Sequence, residues 1–267
     1  MLKDITLGQY FPLDSFIHKL DPRTKILIFI LDIVAIFMAR TLESYIVLTL
    51  FTFLIMIISK VPVKTYIKGL KPILYIIVFT ALLNMFLTNG EDFPIFGYSI
   101  GITVEGLIVA AKMAVRLILL IIGSSALTYT TSPMALTDGI EKLLKPLSKI
   151  GFPTHELSMM MSIAIKFIPT LIEETDKIIK AQQARGASFD TGSIFKRAKA
   201  LIPMLVPLFI SAFRRADDLA IAMESRCYTG GDGRTRMKEI KFSHKDTAAA
   251  ICFIVFFACV IFLDFVI

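Results

Sequence analysis

Long apolar runs separated by short polar connections organise this chain. The first opens at Asp21-Pro22, a residue suited to an N-cap followed by proline at the first helical position, and is apolar from Ile26 to Met38 apart from Asp32. A tight turn through Thr41 and Glu43 leads to a second run, Tyr45 to Ser59, which ends at Val61-Pro62. A third covers Pro72 to Leu87 and stops at Asn89-Gly90, a fourth covers about Val104 to Leu127, and a last run fills Ala248 to Ile267. The pattern predicts an all-α integral membrane protein with about five transmembrane helices.

The stretch from Ser132 to Lys245 has a different pattern and predicts three amphipathic helices. One opens at Ser132-Pro133, places Leu136, Ile140, Leu143, Leu144 and Leu147 at helical spacing, and stops at Gly151. The next runs from Thr154 to Arg185 before Gly186, and the third from about Ala198 to Arg226. The two long helices share a design. Their first parts, Leu157 to Ile168 and Leu201 to Phe213, are apolar on nearly every face and demand burial against protein or lipid. Their second parts are amphipathic, with Glu173 and Lys177, and Asp176 and Lys180, placed for i,i+4 pairing. Pro169, Pro203 and Pro207 predict kinks. Asp176, Ala181 and Arg185 recur at the spacing of Asp217, Ala222 and Arg226, so each long helix ends in an arginine.

Charge supplies the expected orientation. Lys60, Lys64, Lys68 and Lys71 crowd the second connection, whereas the third has Glu91 and Asp92 and no basic residue. Short loops rich in Lys and Arg stay on the cytoplasmic side. The N-terminus is therefore expected inside and the C-terminus outside. The expected division is a four-span region at 1–131, a cytoplasmic helical region at 132–245 and a final span at 246–267.

Composition agrees. The 267 residues are 55% hydrophobic, with a mean hydropathy of +0.73, above the usual apolar share of soluble domains. The formal charge of +7 borders apolar runs instead of accompanying a recognition motif, which excludes a nucleic-acid binder. Asp4, Asp14, His18 and Lys19 interrupt the first 20 residues, so no cleavable signal sequence is expected. Cys227, Cys252 and Cys259 lack paired spacing, and no disulfide or metal role is expected of them.

Few residues suggest chemistry. No phosphate-binding Gly-x-x-x-x-Gly-Lys-Ser/Thr loop or His-Glu-x-x-His motif is present, His18, His155 and His244 are scattered, and the stretch Gly230 to Gly233 follows no strand and reads as a loop. No metal site, cofactor site or nucleophile constellation is expected. The candidates are polar groups in apolar settings. Asp32 reads as a helix-packing hydrogen-bond partner or as a functional carboxylate. Lys112 and Arg116, four residues apart, read as functional intramembrane cations or as markers of the outer end of a shorter span. Arg185, with Gly186 behind it as a left-handed cap, keeps a guanidinium free for a partner or simply complements the helix dipole. Arg226 is analogous, but Cys227 stands where the glycine would be.

An ordered set of motifs resembles the transmembrane T component of energy-coupling factor transporters, the vitamin and metal importers of prokaryotes. The set comprises His18-Lys19-Leu20-Asp21-Pro22-Arg23-Thr24-Lys25, Leu143-Leu144-Lys145-Pro146-Leu147, Lys166-Phe167-Ile168-Pro169, Ala181-Gln182-Gln183-Ala184-Arg185-Gly186, and Arg214-Arg215-Ala216-Asp217 through Arg226-Cys227-Tyr228. The resemblance implies that the two long helices are coupling helices. Their tips, Ala184, Arg185 and Gly186 on one and Ser225, Arg226 and Cys227 on the other, would insert into grooves on a pair of identical or different ATP-binding-cassette ATPases. ATP and Mg would be bound by those partners, and this chain would hold no cofactor and catalyse nothing. The resemblance also implies that the apolar parts of these helices hold a small membrane S component carrying the substrate. Met159, Met160, Met161, Met204, Pro169, Pro203 and Pro207 are the candidates for that surface, since methionine repacks readily around different partners, although the methionines also suit plain core filling. A self-sufficient secondary transporter using Asp32, Lys112 or Arg116 is the alternative; it calls for inverted repeats, which the sequence lacks.

Overall fold

The computed structural model describes residues 10–88, 92–95, 98–187, 194–230 and 242–266. Asn89, Gly90 and Glu91 and the glycine-rich residues Gly231, Asp232 and Gly233 lie outside them. The chain divides into two compact units, one holding the described residues of 8–140 and 240–267 and the other those of 141–239.

In the first unit, α1 (Pro22–Met38) and α2 (Leu42–Ser59) form a hairpin. The helices start where their caps dictate. Asp21 accepts from the Arg23 amide with Pro22 at the first turn, and Thr41 accepts from the Ser44 amide. A short helix α3 (Val63–Leu70) follows, then α4 (Leu74–Leu87), an antiparallel ribbon of β1 (Asp92–Ile95) and β2 (Tyr98–Thr103), α5 (Val104–Thr130) and the first residues of α6 (Pro133–Leu144), which ends in the second unit. The last helix, α9 (His244–Val266), returns to pack on α1 and α2.

The fold is that of an all-α membrane protein with one small ribbon. Three helices are long and apolar enough to cross a bilayer, over Leu42–Ser59, Val104–Thr130 and His244–Phe265, and α3 with α4, bent by 59°, would make a fourth. At 17 residues, α1 reaches about 25 Å, at the lower limit for a span. Two apolar clusters hold the bundle together. Ala35, Ile36, Tyr45, Leu48, Leu119 and Val260 form one, and Met56, Val61, Tyr66, Ala126 and Tyr129 the other. Phe51 stacks on Phe256 with ring centroids 3.9 Å apart. Hydroxyls inside the spans donate to carbonyls of their own helices, as Thr52 does to Leu48, Ser59 to Met56 and Thr130 to Ala126. Such internal satisfaction is what a water-free solvent requires.

Several boundaries differ from those the sequence predicts. The lysine-rich second connection is itself the helix α3, and the third span begins at Leu74 instead of Pro72. The amphipathic helix opening at Ser132-Pro133 ends as an α-helix at Leu144 and continues to Ile150 as a 3-10 turn. Pro146 explains the change, because it has no amide hydrogen for an α-helical bond and its ring crowds the preceding turn.

The second unit is dominated by two 31-residue helices, α7 (Thr154–Ala184) and α8 (Ile194–Glu224), which pack against each other. Both run continuously through their prolines, Pro169 in α7 and Pro203 and Pro207 in α8.

Candidate functional site

The ends of α7 and α8 have the same architecture. At the first, the Gly186 amide donates to Gln183 O at 3.0 Å and the Ala187 amide to Gln182 O at 3.0 Å. At the second, the Cys227 amide donates to Glu224 O at 2.9 Å and the Tyr228 amide to Met223 O at 3.0 Å. These paired bonds define a Schellman cap, which needs a left-handed residue just beyond the helix. Gly186 takes that conformation at φ +88°, and Cys227 takes it at φ +56°. The sequence leaves the second tip without its expected glycine, yet its backbone closes in the same way. Arg185 and Arg226 occupy equivalent positions, one residue before the left-handed turn, and both are exposed, as are Ala184, Gly186, Ser225 and Cys227.

A polar lock joins the two helices. Glu174 on α7 accepts from the Ser211 hydroxyl through one carboxylate oxygen and from the Arg215 guanidinium through the other. The intrahelical pairs expected of Glu173 with Lys177 and Asp176 with Lys180 are not among the ion pairs of the described residues. A second tie comes from proline chemistry. Pro207 has no amide hydrogen, so Pro203 O lacks its intrahelical donor, and the Gln182 side chain donates to it at 3.3 Å. Glu174 escaped the sequence reading although a signal was present, since it is a carboxylate on the stripe formed by Leu171, Thr175 and Ile178.

Away from the tips, α7 and α8 expose apolar surface. Met160 and Met161 are exposed, Met159 is half-buried, and Leu201, Ile202, Leu205, Val206 and Phe209 are exposed around the half-buried Met204. Pro169 and Pro203 are exposed and Pro207 is half-buried. Surface this apolar is covered by lipid or by another protein.

In the first unit, the string from His18 to Lys25 is a structural knot. The Asp246 carboxylate accepts from the Asp21 amide at 2.6 Å and from the Ser243 amide at 2.8 Å, tying the start of α9 to the start of α1. Arg23 pairs with Asp21 at 2.9 Å and lies 4.1 Å over the Phe242 ring. Lys25 donates to Thr130 O at 2.9 Å and to His18 O at 3.3 Å, adding the end of α5. His18 Nε2 lies 2.9 Å from Phe11 O and Nδ1 lies 2.6 Å from the Ser15 hydroxyl, an arrangement suited to the neutral ring. Burial lowers the His18 pKa below its ordinary value and the nearby Lys25 charge adds to this, against the opposing effect of the Phe11 carbonyl.

At the opposite end of the hairpin, Lys112 donates to Arg40 O at 2.8 Å and Arg116 to Ala39 O at 3.1 Å, capping the carbonyl end of α1. Asp264 accepts from the Arg40 and Thr41 amides and from the Thr41 and Ser44 hydroxyls, capping the amide end of α2. Lys112 and Arg116, which lie within α5, thus act here as caps of α1. Asp32 differs from the expected packing partner. It is buried, its Oδ1 has no hydrogen-bond partner, and it lines an apolar cavity of about 360 Å³ beside Phe29, Phe51 and Phe253. Gly123 leaves room for it, since a Cβ there would lie 3.1 Å from Asp32 Oδ2.

The spans define an integral membrane protein, and comparison with known proteins adds a transport system to which it belongs. Residues 14–237 match the family model described as CbiQ, cobalt transport protein. An energy-coupling factor transporter transmembrane protein EcfT from Clostridium kluyveri is 59% identical over 96% of this chain and 95% of its own length. EcfT from Ruminiclostridium cellulolyticum is 54% identical, with 100% and 99% covered, and that from Bacillus subtilis is 44% identical, with 98% and 99% covered. The chain belongs to the EcfT family of energy-coupling factor transporter transmembrane proteins.

Proposed function

We propose that this chain is the coupling subunit of an ATP-driven importer. In this reading α7 and α8 carry motion from two ABC-type ATPases, identical or different, to a small membrane S component that holds a vitamin or a metal ion. The ATPases bind ATP and Mg, and this chain supplies no catalytic group. The N-terminus lies in the cytoplasm and the C-terminus outside, in a prokaryotic cell membrane, as the lysine distribution favours.

The observation that carries the reading is the duplicated tip. Two long helices end in the same left-handed cap and each presents an exposed arginine, at Arg185 and Arg226. A planar guanidinium on a stiff support suits a partner's carboxylates and backbone carbonyls. The Glu174 contacts and the Gln182 bond to Pro203 O tie the two helices together, which suits a pair that transmits motion as a unit. The exposed apolar parts, with Met159, Met160, Met161, Pro169, Pro203, Met204 and Pro207, are the surface offered to the S component.

Reconstitution tests this directly. In liposomes, the chain with its ATPases and S component should import substrate only when ATP is supplied. The chain alone, under a proton or sodium gradient, should import nothing. Gradient-driven uptake by the isolated chain would instead establish a secondary transporter.

A further inference from the structure

We propose that α3 and the corner preceding it form a binding stripe for the headgroups of anionic phospholipids. The proposal goes beyond the coupling role and does not depend on it.

The stripe begins with sequence. No Asp or Glu occurs between Glu43 and Glu91, so the positive charge of Lys60, Lys64, Lys68 and Lys71 is not neutralised nearby in the chain. All four lysines are exposed, and none forms an ion pair among the described residues. In a helix, Lys64, Lys68 and Lys71 fall within about 60° of arc. Lys60 stands at the corner itself, in a left-handed conformation at φ 58° that closes α2.

The rest of α3 fixes this face against the bundle. Tyr66 is 1% exposed, packs edge-on against Tyr129 at 5.2 Å and lies 3.2 Å from the Ser59 hydroxyl. Gly69 allows close approach to α5, since a Cβ there would come within 3.1 Å of the Tyr129 hydroxyl. Between the packed side and the lysines lie Val63, 52% exposed, and Ile67, 60% exposed.

This sequence of faces suits a helix lying in the plane of a membrane interface, with apolar side chains toward acyl chains and lysines at the headgroups. The 59° bend between α3 and α4 turns α3 away from the axis of the span it precedes. Phosphate is the group that four clustered, unpaired ammonium groups attract in that layer, and lysine binds it as a point charge. A soluble acidic partner would use the lysines but leave Val63 and Ile67 without an apolar environment, and for that reason the lipid is favoured.

The test uses the full chain in vesicles of mixed phosphatidylglycerol and phosphatidylcholine, with spin-labelled versions of each lipid reporting relative association. The native chain should prefer phosphatidylglycerol, and rising salt should weaken the preference. Each lysine near the surface is expected to contribute about fivefold at low salt. K64Q/K68Q/K71Q should therefore lower the preference by up to about a hundredfold at low salt, and the arginine counterpart should keep it. Helix content and melting of the variants, compared with the native chain, report whether a loss reflects folding. An unchanged preference in a folded glutamine variant overturns the proposal, as does a native chain without preference. A third result also overturns it: a glutamine variant that keeps its lipid preference but loses its ATPases in pure phosphatidylcholine, which would make the stripe a protein dock.

Discussion

Cys227 bears a backbone cost that Gly186 does not. A side chain in the left-handed region meets its own carbonyl, at roughly 1–2 kcal/mol, whereas glycine is free of that clash. Replacing Cys227 with glycine should therefore stabilise the second tip by about 1 kcal/mol, and Gly186→Ala should destabilise the first by a similar amount. Amide exchange read by mass spectrometry checks this, with the 223–230 peptide slowing severalfold in the first variant and the 182–187 peptide quickening in the second. His18 supplies a pH dependence. Its pKa is lowered by burial, so the unfolded chain binds a proton before the folded one does, and stability rises with pH. The contribution is fully present above about pH 6.5 and is lost as pH falls through the lowered folded value. Thermal unfolding in detergent from pH 8 to pH 5 should destabilise the native chain more than His18→Gln.

Elements in this protein start and stop where local chemistry says they should, and they are joined by contacts that local chemistry does not reveal. The starts of α1 and α2 and the first tip were legible because Asp21-Pro22, Thr41 and Arg185-Gly186 act within a few residues of themselves. Helix α3 was not legible, because eight residues dense in lysine have the look of a connection. Nor were Asp246 and Asp264, whose partners at Asp21 and Thr41 lie more than 200 residues away in sequence. The second tip was half legible: its arginine was evident, but only the backbone reveals that Cys227 closes the cap. Two consequences follow for element pairs. Asp246→Ala strands the buried Asp21 amide and should cost about 1–3 kcal/mol in thermal unfolding. A double-mutant cycle of Glu174→Gln and Arg215→Met should give a coupling energy of about 1 kcal/mol, modest because both side chains keep some solvent contact.

For the whole molecule, the division of labour is between a bundle whose span hydroxyls and helix ends are mostly satisfied from within, Asp32 being an exception, and a helix pair that presents apolar sides and cationic ends. That combination suits the proposed transmitter, which would meet membrane protein and soluble protein at different surfaces. The central claim is that Arg185 and Arg226 are where the ATPases engage. Co-purification of the ATPases with R185E/R226E, extracted from membranes in mild detergent, tests it most directly. The account predicts that the variant inserts at native levels and brings down no ATPase; recovery of the ATPases at native yield would contradict it.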